Sequence, residues 1–397
     1  MSMRERPANP TVSTSDERCT PDYWQAVKPR WQELAESGAE VPFFMGGSWL
    51  ETWIEVFADT LSPRLFHCER DGAWLGACLL TERRERRGPI PVRCLHLHTA
   101  GEAPGEGVCV EYDQVLARVG EEDVVARALA AQLAAGAGDE VVAGGLTEPS
   151  LDFLRQALPG WIEETMWSTD PFVDFEAVRA AGSDYRRAAL SRNSRAQVGR
   201  SVRAYEELGG LETEVASDLA SAQAMLQELI ELHQAAWVGR GRGGAFASAR
   251  NRLFHERLVE RAFPTGAIQL VRVSAGGESV GLLYSFVDRG RVFFYQSGLR
   301  YRDENRFRPG LVAHVCAIER CLALGLREYH FLAGDETTPR YKTSLSNAER
   351  QLAWAHFQRP GLKTSVIRGL RSLKRRFESD REPNQESRPE SIAESSA

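Results

Sequence analysis

Apolar residues recur at helical spacing through PDYWQAVKPRWQELAES, residues 21–37, and this pattern predicts a helix, with a second, shorter one over 47–60. RLFHCERDGAWLGACLL, residues 64–80, reads instead as strand, tight turn at Asp71-Gly72, strand. A further strand is predicted over 92–98, a helix over 121–136 closed by Gly136, and a short buried strand over 141–146. The second half repeats this order. Amphipathic helices are predicted over 221–237 and 248–263, then three strands between 267 and 299 joined by turns at Gly276-Gly277 and Asp288-Arg289-Gly290. A helix over 310–325 follows, with the apolar stripe Leu311, Val315, Ile318, Leu322 and Gly325 at its end, and then the strand EYHFLAG.

The two hairpins align: Asp71-Gly72-Ala73-Trp74-Leu75-Gly76-Ala77 sits against Gly276-Gly277-Glu278-Ser279-Val280-Gly281-Leu282, and in both a pair of glycines lies four apart across the turn. We read the chain as a diverged duplication of one α/β unit. The expected class is α/β (mixed α+β), with tandem lobes that are each a mixed, largely antiparallel sheet flanked by helices. The expected division is a disordered leader over 1–20, one lobe over 21–170 and a second over 171–360. A basic helix within 361–397 then runs into a disordered Ser-, Glu- and Pro-rich tail.

Composition narrows the function. The 397 residues carry 49 basic and 55 acidic side chains, a net charge of -6 that speaks against a general nucleic-acid binder and predicts no DNA partner. Seven cysteines, an odd number with no C-x-x-C pair, argue against a disulfide framework or a structural zinc ribbon. No apolar run suits a membrane span and residues 1–22 lack the form of a signal peptide, so a cytoplasmic protein is expected. LKTSVIRGLRSLKRRF, residues 362–377, is basic and amphipathic: either a solvated closing helix or a contact with an anionic membrane surface, which would make the protein peripheral to the inner membrane. Cys94, His96 and His98 alternate on one strand, but three ligands on a flat face rarely converge, and no metal is expected. Arg186, Arg187, Arg192, Arg195, Arg200 and Arg203 predict a helix with a positive face.

The candidate chemistry lies between Tyr295 and Lys342. A strand ends at Gly298-Leu299, where a missing side chain lets a ligand approach the backbone. A helix then opens at Pro309-Gly310, and its free N–H groups, with Arg306 and Arg308 beside them, suit a pyrophosphate. Asp335 follows a strand end, where it can take a proton from an attacking group, and Lys342 can stabilise negative charge developing on an oxygen. His233 and Trp237 share a helix face before the Gly239–Gly244 loop, which carries Arg242 and is expected to cover an acceptor cleft.

The run Gly298…Arg308-Pro309-Gly310…Gly334-Asp335…Tyr341-Lys342 resembles the BioF2-like acetyltransferase domain. That domain is a branch of the GNAT superfamily related to the FemAB aminoacyl transferases and the CelD-type cellulose-biosynthesis proteins. The likeness covers roughly residues 185–345; the first half resembles the other lobe more loosely, through Gly101 and Glu111-Tyr112. Arg308 stands where the family has Ser, Asp113 where it has Asn, and the Q/R-x-x-G-x-G/A phosphate loop is not intact. The resemblance implies an N-acyltransferase that uses acyl-CoA, acetyl-CoA foremost, without a metal, acting in envelope or exopolysaccharide metabolism. The acyl group would pass directly to an amine or hydroxyl of a small-molecule or sugar-linked acceptor. It implies Asp335, Tyr341 and Lys342 as catalytic residues and Gly298, Leu299, Arg306, Arg308 and Gly310 at the donor. His233, Trp237, Arg242, Tyr295, Glu111 and Tyr112 would be at the acceptor. Two alternatives are an aminoacyl-tRNA donor, the one case with a tRNA partner, and a non-catalytic binding protein on the same scaffold.

Overall fold

The structure of the chain, a computed structural model, describes residues 12–37, 41–182, 184–333 and 340–379. In chain order its elements are β1 (Ser13–Arg18), α1 (Pro21–Ser37), α2 (Gly47–Leu61), β2 (Arg64–Arg70), β3 (Ala73–Arg87), β4 (Ile90–Leu97), β5 (Leu116–Ala117), α3 (Glu122–Ala135), β6 (Glu140–Leu146), α4 (Glu148–Ala157) and β7 (Ile162–Asp174). They continue as α5 (Phe175–Ala180), α6 (Tyr185–Ala189), α7 (Arg192–Glu206), β8 (Leu211–Val215), α8 (Leu219–Val238), α9 (Ala249–Ala262), β9 (Ile268–Ala275), β10 (Glu278–Asp288) and β11 (Arg291–Leu299). The last are α10 (Pro309–Ala323), β12 (Glu328–His330), α11 (Arg340–Ser344), β13 (Ala348–Gln358) and α12 (Leu362–Ser379).

Among the described residues, thirteen strands form one sheet in the order β1-β2-β3-β4-β6-β13-β7-β12-β11-β10-β9-β8, with β5 paired to β3. The order is symmetric about the central pair of β13 and β7. On each side a polar edge strand pairs antiparallel with the first strand of a hairpin, the fourth strand adds antiparallel to the hairpin, and it runs parallel to the fifth. The sixth strand of each half is exchanged: β7, from the end of the first half, pairs with β12, while β13, from the end of the second, pairs with β6. This is the expected duplication, with each half completed by the other's last strand.

The hairpin glycines show why the two halves match. A Cβ on Gly76 would lie 2.3 Å from Val125 of α3, and one on Gly281 would lie 3.6 Å from Ala313 of α10. In the first half the missing side chain lets α3 sit close on the hairpin; in the second it makes room for the Leu299 side chain, 2.7 Å from where a Cβ would lie, with α10 at ordinary contact. Helices α1, α2, α8 and α9 cover one face of the sheet with a shared aromatic core, in which Phe43 stacks on Phe286 at 4.3 Å and Trp49 meets Phe254 at 4.9 Å. Helices α7 and α10 cover the other face of the second half, and α3 and α4 that of the first.

Four expectations need correction. Residues 13–18, placed in a disordered leader, form β1 on β2; the strand is polar on both faces and is held by backbone pairing, which leaves no hydrophobic signal. The lobe boundary at 170/171 falls inside β7, which runs unbroken because it is the exchanged strand. The strand read over 328–334 stops at His330, after which Phe331 N–H turns to the carbonyl of Pro171 on β7. The row of Cys94, His96 and His98 does not share a face, because His98 adopts a left-handed φ of 50° and turns inward. Glu85, Cys94 and His96 do bring ligand atoms within 4.8 Å, but the Glu85 carboxylate already binds Arg87, and burial pushes the Cys94 thiol up to about 12. Residues 1–11 and the tail beyond 379 lie outside the described residues. Among those described, no helix is long and apolar enough to cross a membrane.

Candidate active site between β11 and β12

β11 and β12 pair only over Arg291–Phe293 and Glu328–His330. Past that point β11 continues to Leu299 on β10 alone, while the chain after His330 bends toward β7, so the two diverge. The N–H of Arg300 donates to Val280 O at 3.1 Å, and the antiparallel alternation makes Leu282 and Gly298 the next hydrogen-bonded pair. The N–H of Gly298 therefore belongs to the sheet, and that of Leu299 points into the gap. Nor does Gly298 admit a ligand: a Cβ there would lie 2.4 Å from the Leu229 carbonyl oxygen of α8, so the bare position serves helix packing. That corrects its predicted role.

α10 starts at the mouth of this gap. Its cap is Arg308, whose N–H bonds Ser201 Oγ at 3.0 Å, and its first turn contains no acid. Val312 is the first residue to donate back, to Arg308 O, so Gly310 and Leu311 keep their N–H groups directed outward. A Cβ on Gly310 would meet Leu299 at 3.2 Å and the Tyr341 phenol at 3.5 Å, so these three residues are neighbours. The Arg308 side chain is exposed and makes no ion pair among the described residues. Arg306 differs: its guanidinium is bound by Glu207 at 2.8 Å and Glu304 at 2.9 Å, which leaves its charge countered.

Lys342 lies between the diverging strands. Its Nζ donates to Phe331 O at 3.0 Å and sits 5.3 Å from the Phe294 ring centre, touching both sides of the gap. Burial pushes up the pKa of the neighbouring Tyr341 phenol, which stays a neutral O–H donor. Gly334 and Asp335 lie outside the described residues.

The opposite side of the gap is closed by the first half of the chain. Residues 98–115 cross over: Cys109 N–H donates to the Tyr295 hydroxyl at 3.0 Å, Asn251 Nδ2 to Gly107 O at 3.1 Å, and Ala333 N–H to the buried Glu111 carboxylate at 2.8 Å. Tyr295 is partly exposed here, and burial of its hydroxyl raises its pKa. Glu111 and Tyr295 thus both lie beside the gap. Tyr112 is not: it turns inward, its hydroxyl donating to Asp170 and lying 3.0 Å from His330 Nδ1. His330 in turn has Asp170 at 2.7 Å and Glu328 at 2.9 Å on its two nitrogens. Burial works against its charge, yet the two carboxylates raise its pKa overall. Arg350 of β13 lies over the Tyr112 and Phe172 rings at 5.7 and 5.4 Å. This buried cluster joins β7, β12 and β13 to the crossing segment, and it has no local sequence signal because Tyr112 lies 218 positions from His330 and still further from Arg350.

His233 is also structural. Its Nδ1 lies 3.0 Å from Ser297 O and its Nε2 accepts the Ala245 N–H at 3.2 Å, so it ties the 239–247 loop to β11. Burial lowers its pKa and keeps it neutral. Trp237 packs 5.8 Å from His233 under that loop, and Arg242 is exposed on it.

Residues 192–343 match the acetyltransferase (GNAT) domain family. The second half of the chain is thus similar to a GNAT-type acetyltransferase domain. Its whole fold is similar to solved structures at low identity. L-PGS from Bacillus licheniformis is 11% identical, with 89% of this chain and 97% of that one covered at a TM-score of 0.52. A conserved protein of unknown function from Bacteroides thetaiotaomicron is 9% identical, with 87% and 100% covered at 0.52. FemX is 11% identical, with 85% and 96% covered at 0.50. No curated protein matches the chain by sequence. The GNAT family and the FemAB-like fold expected from the sequence are borne out, as is the acyltransferase class.

Proposed function

We propose that the chain transfers an acyl group, acetyl first, from the thioester of acyl-CoA to an amine or hydroxyl acceptor while both are bound. The observation that carries this reading is the start of α10: an acid-free first turn with outward N–H groups and an Arg308 without an ion-pair partner among the described residues, at the mouth of a gap between strands. A helix start of this kind suits the pyrophosphate of CoA. The thioester would enter the gap, where the Leu299 N–H and Lys342 can stabilise charge on its carbonyl oxygen. The acceptor nitrogen or oxygen attacks the carbonyl carbon and gives its proton to Asp335 or a water that Asp335 holds. The C–S bond then breaks, and the Tyr341 O–H can return a proton to the thiolate. Holding both reactants in one cleft supplies much of the rate gain, and no covalent enzyme intermediate is needed.

Calorimetric titration with acetyl-CoA, then with longer acyl-CoAs, tests the donor. The expected result is saturable binding that weakens roughly tenfold in Arg308→Ala and in Lys342→Ala, the loss of one charge-assisted contact each. If no acyl-CoA binds, the reading fails, and transfer from aminoacyl-tRNA becomes the assay to run.

A further inference from the structure

We propose that α12 is an interfacial helix that seats the protein on an anionic lipid surface. The proposal stands apart from the acyl-transfer reading, because it concerns a face on the other half of the molecule. One side of α12 is anchored: Ile367 is buried, Thr364 Oγ1 donates to Arg359 O at 2.6 Å, Lys363 binds Asp139 at 2.7 Å, and Arg368 binds Glu164 at 2.9 Å. The other side is an apolar stripe with nothing against it among the described residues. Leu362, Val366, Leu370 and Leu373 recur at helical spacing and are 88%, 53%, 43% and 51% exposed. Large apolar side chains exposed in a row mark a contact surface.

Charge decides what covers it. From Leu362 to Phe377 the sequence holds six basic residues, Lys363, Arg368, Arg371, Lys374, Arg375 and Arg376, and no acid. Among the described side chains, these meet only the carboxylates of Asp139 and Glu164. A second copy of the chain docked on the same stripe would set this excess against itself. An anionic headgroup layer above acyl chains complements both the charge and the stripe.

Flotation of the full chain with vesicles of phosphatidylcholine, with or without phosphatidylglycerol, tests this. Binding is expected only to the phosphatidylglycerol vesicles and is expected to fall as salt rises. Val366→Asp/Leu370→Asp, at exposed positions, should abolish it with an unchanged melting temperature. Lys374→Glu/Arg375→Glu should weaken it roughly thirtyfold or more, two charges of the basic run being reversed. Equal binding to both vesicle types, or to neither, overturns the proposal. So does a wild-type dimer that Val366→Asp/Leu370→Asp makes monomeric in light scattering. None of these readouts depends on acyl-CoA, so the two proposals fail separately.

Discussion

The fourth strand of the second half, β11, stays on β10 from Asp288↔Arg291 to Gly281↔Leu299, with a single bulge at Tyr295. Its counterpart in the first half is split. β4 leaves β3 at Leu80↔Leu97, and the chain returns only as β5, where Ala117 pairs with Gly76, the equivalent of Gly281. The excursion between them, residues 98–115, does two things. It fills the first half's own gap, with Asp113 N–H on Gly145 O at 3.2 Å and the Gly145 position so close that a Cβ would lie 2.5 Å from Glu111 Cα. It also carries Cys109 and Glu111 across to the gap that β11 leaves open. The helix starts differ in the same sense: α3 begins with Glu122 and Asp123 after Glu121, which repel an anion, where α10 begins with Arg308-Pro309-Gly310. One half thus has an open gap and an acid-free helix start, while the other has neither and forms the wall of its partner's cleft.

The largest effect expected from breaking this arrangement is at Gly298. An added methyl meets the backbone of Leu229, which cannot rotate away, so Gly298→Ala must push α8 off β11. We expect a loss of about 2–3 kcal/mol in urea unfolding, the cost of overpacking a tight core. A variant with wild-type stability would mean that α8 is not fixed by this contact and that the gap has no rigid side.

Next in size is Glu111, the link between the halves. Glu111→Ala leaves the buried Ala333 N–H without that acceptor, at a cost of about 1–3 kcal/mol. The loss should be local: amide exchange at 331–333 should speed up roughly tenfold or more, with Glu111→Gln, which keeps an acceptor oxygen, close to wild type. Uniform acceleration across the sheet would instead make Glu111 a general stability residue.

Much of this was legible in the sequence. The hairpins, the helices of both halves and their shared order follow from apolar spacing and turn glycines, and the family likeness pointed to Glu111 and to the start of α10. β7 and β13 were missed because each is defined by an exchanged partner far along the chain, and β7 contains Pro171, which argues against a central strand. The misassigned roles of Gly298, His233 and Tyr112 share one cause. A glycine, a histidine and a tyrosine near a site look functional in sequence, and only the three-dimensional contacts show a helix, a loop and a buried carboxylate already using them.

The smallest expected effect concerns the plug itself. Burial pushes the Asp113 carboxyl up to about 8 and the nearby His98 down to about 4. Below pH 6.5 the two oppose each other: folding favours the protonated Asp113, while unfolding lets His98 take a proton. Above about pH 7 His98 is neutral in both states. Asp113 then still binds a proton only when folded, since its ordinary value is near 3.8, while Glu102, pushed by burial to about 7, is at its midpoint there and adds a smaller fall of the same sign. Stability should therefore fall as pH rises from about 7 to 8, by about 1 kcal/mol for one proton. Asp113→Asn keeps the shape without the titration and should remove most of that slope in pH-dependent melting. A slope that survives in full would place the titration on groups other than Asp113, and the first half's gap would then be closed by the backbone of 110–117 rather than by a neutral carboxyl.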